Sequence, residues 1–215
     1  MANAFTKLST VKQTSILNAA ASIFACKGYH QASIQMICEK ANISNGALYK
    51  YFKNKEDLYI QVISSFVDRL RVTFNSFDRN LELAELSFSE VIEAILHQIG
   101  GYIEEENDYL KMYLDMGSAS MNKFSSCISQ EFEESSYEFW VNLIKRAKKS
   151  GEIRENIDMN SAAYMLDNHL ALLTYSCISE HHDKRFNAFF KQQSEQLSLA
   201  EKAVLIKRSI LQFLT

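Results

Sequence analysis

Between positions 45 and 50 the chain places Asn45, Gly46, Tyr49 and Lys50: an amide, a missing side chain, a phenol and an ammonium. An amide suits the paired donor and acceptor on the edge of adenine, and an ammonium suits the two acceptors of guanine. Tyr49 can donate a hydrogen bond to phosphate or meet a thymine methyl with its ring edge. Without a side chain, Gly46 would let a backbone approach a phosphate closely. Ser33, Ser44 and Tyr51 supply neutral donors and Lys55 supplies charge, with Lys12 as a further phosphate candidate. Contacts of that kind position a protein on a polyanion without reading its sequence. The competing assignments are packed rings for Tyr49 and Tyr51 and a merely solvated lysine at position 50.

These groups need short helices to hold them. Thr10 and Gln13 predict a capping box, and Ile16, Ala19, Ala20, Ile23 and Phe24 recur behind it at helical spacing, giving a first helix over about 11–27 ended by Gly28. Ser33 caps a second helix on Ile34, Ile37, Cys38 and Ala41. Asn42, one of the few side chains at ease in the left-handed conformation, stops it. Ser44 opens a third helix anchored by Leu48 and Phe52. Two short helices joined by a tight turn behind a longer one form a helix-turn-helix over about 33–52. The free N–H groups at the starts of helices two and three suit phosphates.

Asn54 caps a fourth helix reaching about residue 76 on Leu58, Val62, Phe66, Leu70, Phe74 and Phe77. A Ser87–Glu90 capping box opens the next, which Gly100-Gly101 ends or kinks. Further helices are expected at 107–116, 121–149, 159–181 (capped by Asp158) and 199–214 (opened by Ser198 and Glu201). With no proline, six glycines and no strand alternation, the expected fold is all-α with about nine helices.

Charge divides the chain the same way. Residues 1–55 hold seven lysines against one acid, a net +6, so the whole-chain charge of −3 leaves −9 for the remainder. A basic head on an acidic body points to two domains, 1–55 and 56–215, one of them facing a polyanion. No membrane span or signal peptide is evident, so a cytoplasmic location is expected. The four cysteines have no metal-like spacing and are expected as buried free thiols. His181-His182-Asp183 invites a metal, but adjacent rings diverge; no metal and no cofactor are expected. No phosphate-cradling glycine loop, GxSxG or HExxH is present, so no enzyme is indicated.

The segment from Ala41 to Leu58 (ANISNGALYKYFKNKEDL) resembles the DNA-binding signature of the TetR family of transcriptional regulators, A-G-V-S-x-G-x-L-Y-x-[HY]-F-x-[ST]-K-E-x-L. Ile16-Leu17, Ala19-Ala20, Phe24, Gly28 and the run from Ser33 to Ile37 fit the same family. Asn42 departs from the usual glycine and meets the same backbone need. The likeness is close over about 10–60 and beyond that rests on helix count. It implies a regulator of transcription on double-stranded DNA, a homodimeric repressor released by a small, partly apolar effector; control by a protein partner, or activation, is the alternative.

A single recognition helix touches few bases, so a twofold dimer on a near-palindromic operator is expected. The resemblance implies dimerisation through the last two helices, with Leu170, Leu173, Ile178, Ala203, Ile206, Ile210 and Phe213 at the interface. It also implies an effector pocket among the middle helices. Candidate lining residues are Phe66, Tyr102, Tyr109, Tyr113, Phe132, Phe139, Trp140, Tyr164, Asp167 and His169, although an aromatic ring at helical spacing is more often core than pocket. Asp167-Asn168-His169 interrupt an apolar helix, to meet a polar or cationic ligand group or to bond across the dimer.

Overall fold

The computed structural model describes residues 4–83, 86–127, 130–190 and 197–215. Among these, every regular element is helical: α1 (Thr10–Gln31), α2 (Ile34–Ala41), α3 (Asn45–Tyr51), α4 (Lys55–Leu83), α5 (Phe88–Glu105), α6 (Asn107–Asp115), a 3-10 helix (Ala119–Cys127), α7 (Gln130–Lys149), α8 (Met159–Ile178), α9 (Glu180–Phe189) and α10 (Leu199–Leu214). Two elements exceed the expected nine. The helix expected over 121–149 begins instead as the 3-10 turns of 119–127. The one expected over 159–181 stops at Ile178, and α9 follows after the single extended residue Ser179.

The helices form two compact units, Met1–Leu70 with Asp108–Ser129 and Arg71–Asn107 with Gln130–Thr215. The division expected between residues 55 and 56 falls inside the first of them. Its reason is visible in α4, where Leu58, Tyr59, Val62, Ile63 and Phe66 are all at most 2% exposed. Such side chains complete the core of the helix-turn-helix and could not be left in water; each fully buried one contributes roughly 1.5–3 kcal/mol.

In the first unit, the Tyr59 ring lies 5.0 Å from Phe24 and 4.5 Å from Phe124, and Tyr29 is 4.8 Å from Phe124. The 3-10 segment is therefore part of the head's own core. Leu48 and Phe52 anchor α3 as expected, and Phe5, ahead of the first helix, closes the far side with its ring 4.9 Å from Phe52. Gly28 interrupts α1 at φ +71° and ψ 162°. That is a region essentially reserved for glycine, outside the left-handed helical one. Asn42 takes the left-handed conformation at φ 53°, ψ 48°.

The second unit has one core. Val91, Ile92 and Ile95 from α5, Trp140, Leu143 and Ile144 from α7, Leu166, Leu170 and Leu173 from α8, Phe186 from α9, and Ile206 and Ile210 from α10 meet in it. Gly100-Gly101 neither ends nor kinks α5, which continues to Glu105. A Cβ at Gly100 would lie 3.3 Å from the Leu199 side chain, so the missing methyl serves the close packing of α5 on α10.

The caps at Ser33, Ser44, Asn54, Ser87, Asp158 and Ser198 form as expected. The Thr10–Gln13 box does not. Ser9 precedes α1 without a side-chain cap, and Gln13 instead donates to the Leu8 carbonyl.

Candidate nucleic-acid interface

α3 is seven residues long, and its two ends are fixed differently. At the start, Ser44 Oγ accepts from the Ala47 N–H at 3.1 Å; at the finish, Leu48 and the following Phe52 are sunk in the core. At about 100° per residue, Asn45, Tyr49, Gly46 and Lys50 then occupy one continuous arc turned away from Leu48. All four are exposed, Tyr49 by 54%. Among the described residues, the side chains of Asn45, Tyr49 and Lys50 make no hydrogen bond or ion pair, so their polar atoms remain available to an outside partner.

Among the described residues, nothing demands glycine at position 46. Its φ is ordinary, and an added Cβ would meet no atom within 4 Å. A glycine in a helix costs roughly 0.5–1 kcal/mol relative to alanine. An uncompensated cost at an exposed position, between an amide and an ammonium, is what close approach of an external backbone would require.

The phosphate candidates divide. Ser33 and Ser44 are exposed, each with its oxygen accepting from its own helix (Met36 N–H at 3.2 Å for Ser33), which leaves the hydroxyl proton free to donate. Lys12 is exposed in the first turn of α1. Tyr51 is half-buried, its ring 6.1 Å from Phe5, so it packs as much as it presents.

Lys55 departs from the expectation of a phosphate contact. Its ammonium is turned inward, donating to the carbonyls of Tyr29 at 2.8 Å, His30 at 3.3 Å and Ala32 at 2.9 Å. It also lies 4.6 Å from the centre of the Tyr29 ring. These carbonyls belong to the turn after Gly28, where the interrupted helix leaves acceptors without helical partners. Desolvation, and then the charge of Lys123, hold the Lys55 ammonium below the usual lysine range. Lys123, on the 3-10 helix, pairs with Glu56 at 2.9 Å and stands 4.4 Å above Tyr29; the Glu56 hydrogen bond pushes its own pKa up. Sequence spacing gave no sign of this lysine pair, because its partners come from three separate segments.

The candidate pocket residues fall in both compact units. In the first unit, Phe66 lies 5.8 Å from Tyr109 and 6.0 Å from Tyr113, the Arg69 guanidinium sits 4.7 Å above Tyr109, and the Tyr109 hydroxyl donates to Asn18. In the second unit, Tyr102 hydrogen-bonds Thr73, and Phe139 and Trp140 are buried against each other. Asp167 points at α7, whereas Asn168 and His169 bond carbonyls of their own helix, those of Tyr164 and Met165. The Phe132 side chain lies outside the described residues.

Of the expected dimer residues, Leu170, Leu173, Ile206 and Ile210 are in the subunit's own core. Apolar periodicity marks a face that must be covered but not which chain covers it. Ile178 and Ala203 are half-buried and Phe213 is exposed. The apolar side chains left open on these helices include Leu172 on α8, at 49%, and Val204 and Phe213 on α10, at 67% and 59%.

Lys202 also escaped the sequence reading. Although only 3% exposed, it pairs with Asp183 at 2.7 Å and donates to the Ser176 carbonyl at 2.6 Å, beside a half-open cavity of about 370 Å³. Of the cysteines, Cys38 is buried and Cys177 half-buried, but Cys26 is exposed, contrary to expectation; the Cys127 side chain is outside the described residues. Among the described residues, no helix is long and apolar enough to cross a membrane.

Residues 16–62 match the sequence pattern of the bacterial regulatory proteins of the tetR family. Over 155 residues, covering 70% of this chain and 72% of the relative, the sequence is 24% identical to the HTH-type transcriptional repressor KstR2 of Rhodococcus jostii (strain RHA1). It is 23% identical over 155 residues to the Fatty acid metabolism regulator protein of Bacillus subtilis (strain 168), covering 72% and 77% of the two chains. The fold is similar to that of the transcriptional regulator FadR from Bacillus subtilis in complex with stearoyl-CoA, with a TM-score of 0.63 at 18% identity over 93% of this chain and 96% of that one.

Proposed function

Since the chain belongs to the tetR family of bacterial regulatory proteins and is a DNA-binding regulator of transcription, we propose that it is a cytoplasmic homodimeric repressor that a small molecule releases from a near-palindromic operator. The observation that carries the DNA-binding part is the unpartnered arc of Asn45, Gly46, Tyr49 and Lys50 on a helix whose opposite side is sunk in the core. In this reading α3 enters the major groove, Asn45, Tyr49 and Lys50 meet base edges, and Ser33, Ser44, Lys12 and the Gly46 backbone meet phosphates. Lys55 shapes the head from within.

Two heads are needed, because one short helix touches few bases. The open apolar residues Leu172, Val204 and Phe213 support pairing through α8 and α10. The effector is taken to be partly apolar, as is the stearoyl-CoA held by the Bacillus regulator. Its binding shifts α4, which contributes residues to both compact units, and takes the two heads out of half-site register.

Fluorescence anisotropy with the near-palindromic DNA beside the gene tests this. Tight binding to that DNA, weak binding to a scrambled duplex at moderate salt, and release by a small molecule are expected. Equal affinity for both duplexes would remove the sequence-reading role of α3.

A further inference from the structure

From the lining of a small cleft between α7 and α8, we infer that this regulator binds an alkylammonium group there, with a volume of about 140 Å³ available to it. The cleft combines two carboxylates, Glu133 and Asp167, with three aromatic rings, Tyr137, Trp140 and Tyr164; among the described residues, no lysine, arginine or histidine lines it.

The two carboxylates are set differently. Asp167 accepts from Ser136 Oγ at 2.8 Å and from Trp140 Nε1 at 3.2 Å. Both donors use Oδ1, so among the described residues Oδ2 has no partner. Glu133 has no hydrogen bond or ion pair among the described residues. Desolvation, and then the charge of Asp167, push its pKa up, as expected of two neighbouring acids. A cation between them relieves that repulsion, whereas an anion adds to it.

The rings supply the remainder. Trp140 is fixed by its bond to Asp167, and the Tyr137 hydroxyl donates to Asn160 at 2.9 Å, tying α7 to α8. Tyr164 stands 75% exposed at the mouth. An exposed ring beside two acids is poorly used by the fold itself. Aromatic faces with neighbouring carboxylates are the chemistry that recognises ammonium ions. The volume is below that of a drug-sized pocket, so the group is a small head such as trimethylammonium or a primary amine, either alone or at the end of a longer apolar molecule. This deepens, and rests on, the reading that a small molecule acts on the chain, since it gives that molecule a positive charge.

Trp140 is the only tryptophan, so its emission reports on this cleft alone. The full chain is titrated with choline and, in parallel, with its uncharged analogue 3,3-dimethylbutan-1-ol at matched ionic strength. A saturable change with choline only is expected. Glu133→Gln, at an exposed position, should weaken it by about tenfold, the order of one lost charge pair; Tyr164→Ala should weaken it comparably, and the thermal midpoint should not fall in either variant. No saturable change, an equal response to the alcohol, or a response that survives both substitutions would overturn the site. Operator release is followed separately by anisotropy. Release by some other molecule without choline binding would overturn this inference and leave the repressor reading standing. Choline binding without release would uphold the site and count against its role as the effector's.

Discussion

Replacing Gly46 with alanine should make the protein more stable and a worse DNA binder. The sign of the first effect comes from the structure: φ at Gly46 is ordinary, and no atom lies within 4 Å of an added Cβ. Alanine is favoured over glycine in a helix by roughly 0.5–1 kcal/mol. For a chain of 215 residues that is a rise in melting temperature of about 1–4 °C. The second effect follows if a phosphate approaches the α3 backbone. A methyl group there would hold it off and lose a hydrogen bond to a charged acceptor, about 1.5–3 kcal/mol, or roughly a ten- to hundredfold loss of affinity. Gly28→Ala is the control of opposite sign. It also has free space around it, but its φ of +71° penalises any side chain, at about 1–3 kcal/mol. Calorimetry and operator anisotropy on the same two preparations decide the matter. A stabilised Gly46→Ala protein that binds operator as tightly as the parent would refute the close-approach argument, and a destabilised one would refute the account of the free space.

Four further outcomes are expected. Lys55→Met should lower stability by roughly 2–3 kcal/mol in urea unfolding, the scale of hydrogen bonds to a charged donor that is not fully buried, and leave the salt slope of DNA binding unchanged; a slope shallower by about one, with stability intact, would restore Lys55 to the phosphates. Lys50→Ala should change which base is preferred in a randomised half-site, and a uniform loss across all sequences would make it a phosphate contact instead. Leu172→Arg combined with Val204→Arg should shift the protein from dimer to monomer in sedimentation, with an unshifted dimer placing the interface elsewhere. The capping-box carboxylates of Glu90 and Glu201 are held below the usual range by the hydroxyls, then the backbone N–H groups, of Ser87 and Ser198. Their contribution is therefore full above the ordinary glutamate value of about 4.3 and is lost as pH falls through the lower folded-state values. Thermal midpoints of the Glu90→Gln, Glu201→Gln protein should accordingly depend less steeply on pH in that acid range, and an unchanged slope would contradict the assignment.

What was legible in the sequence follows the range of the physics. Caps involve residues three or four apart, so Ser33, Asn42, Ser44, Ser87 and Ser198 announced their helix ends correctly, and with them the placement of α3. The spacing of Thr10 and Gln13 also fits a capping box, yet α1 starts without a side-chain cap and Gln13 bonds the Leu8 carbonyl instead. Long-range facts left no such trace. Lys55 sits in the signature of a DNA-contacting segment, yet the carbonyls that capture it are on the far side of α2 in the chain. The same limit applies to Leu170 and Ile210, whose apolar periodicity demanded burial without naming the subunit that provides it, and to Asp167, whose partner Ser136 is on another helix. Ser179 could have been recognised as a break only by knowing that Phe186 of α9 is buried in the same core.

The packing of Phe124 against Tyr29 and Tyr59 has a consequence for the order of events during synthesis. The helices of the head are made before the ring that completes their core, because Phe124 is translated some seventy residues after the recognition helix. Until then Tyr29 and Tyr59 lack the ring that covers them. A nascent chain stalled before Phe124 should therefore be readily cut by protease in its first sixty residues, and one stalled well beyond it should resist.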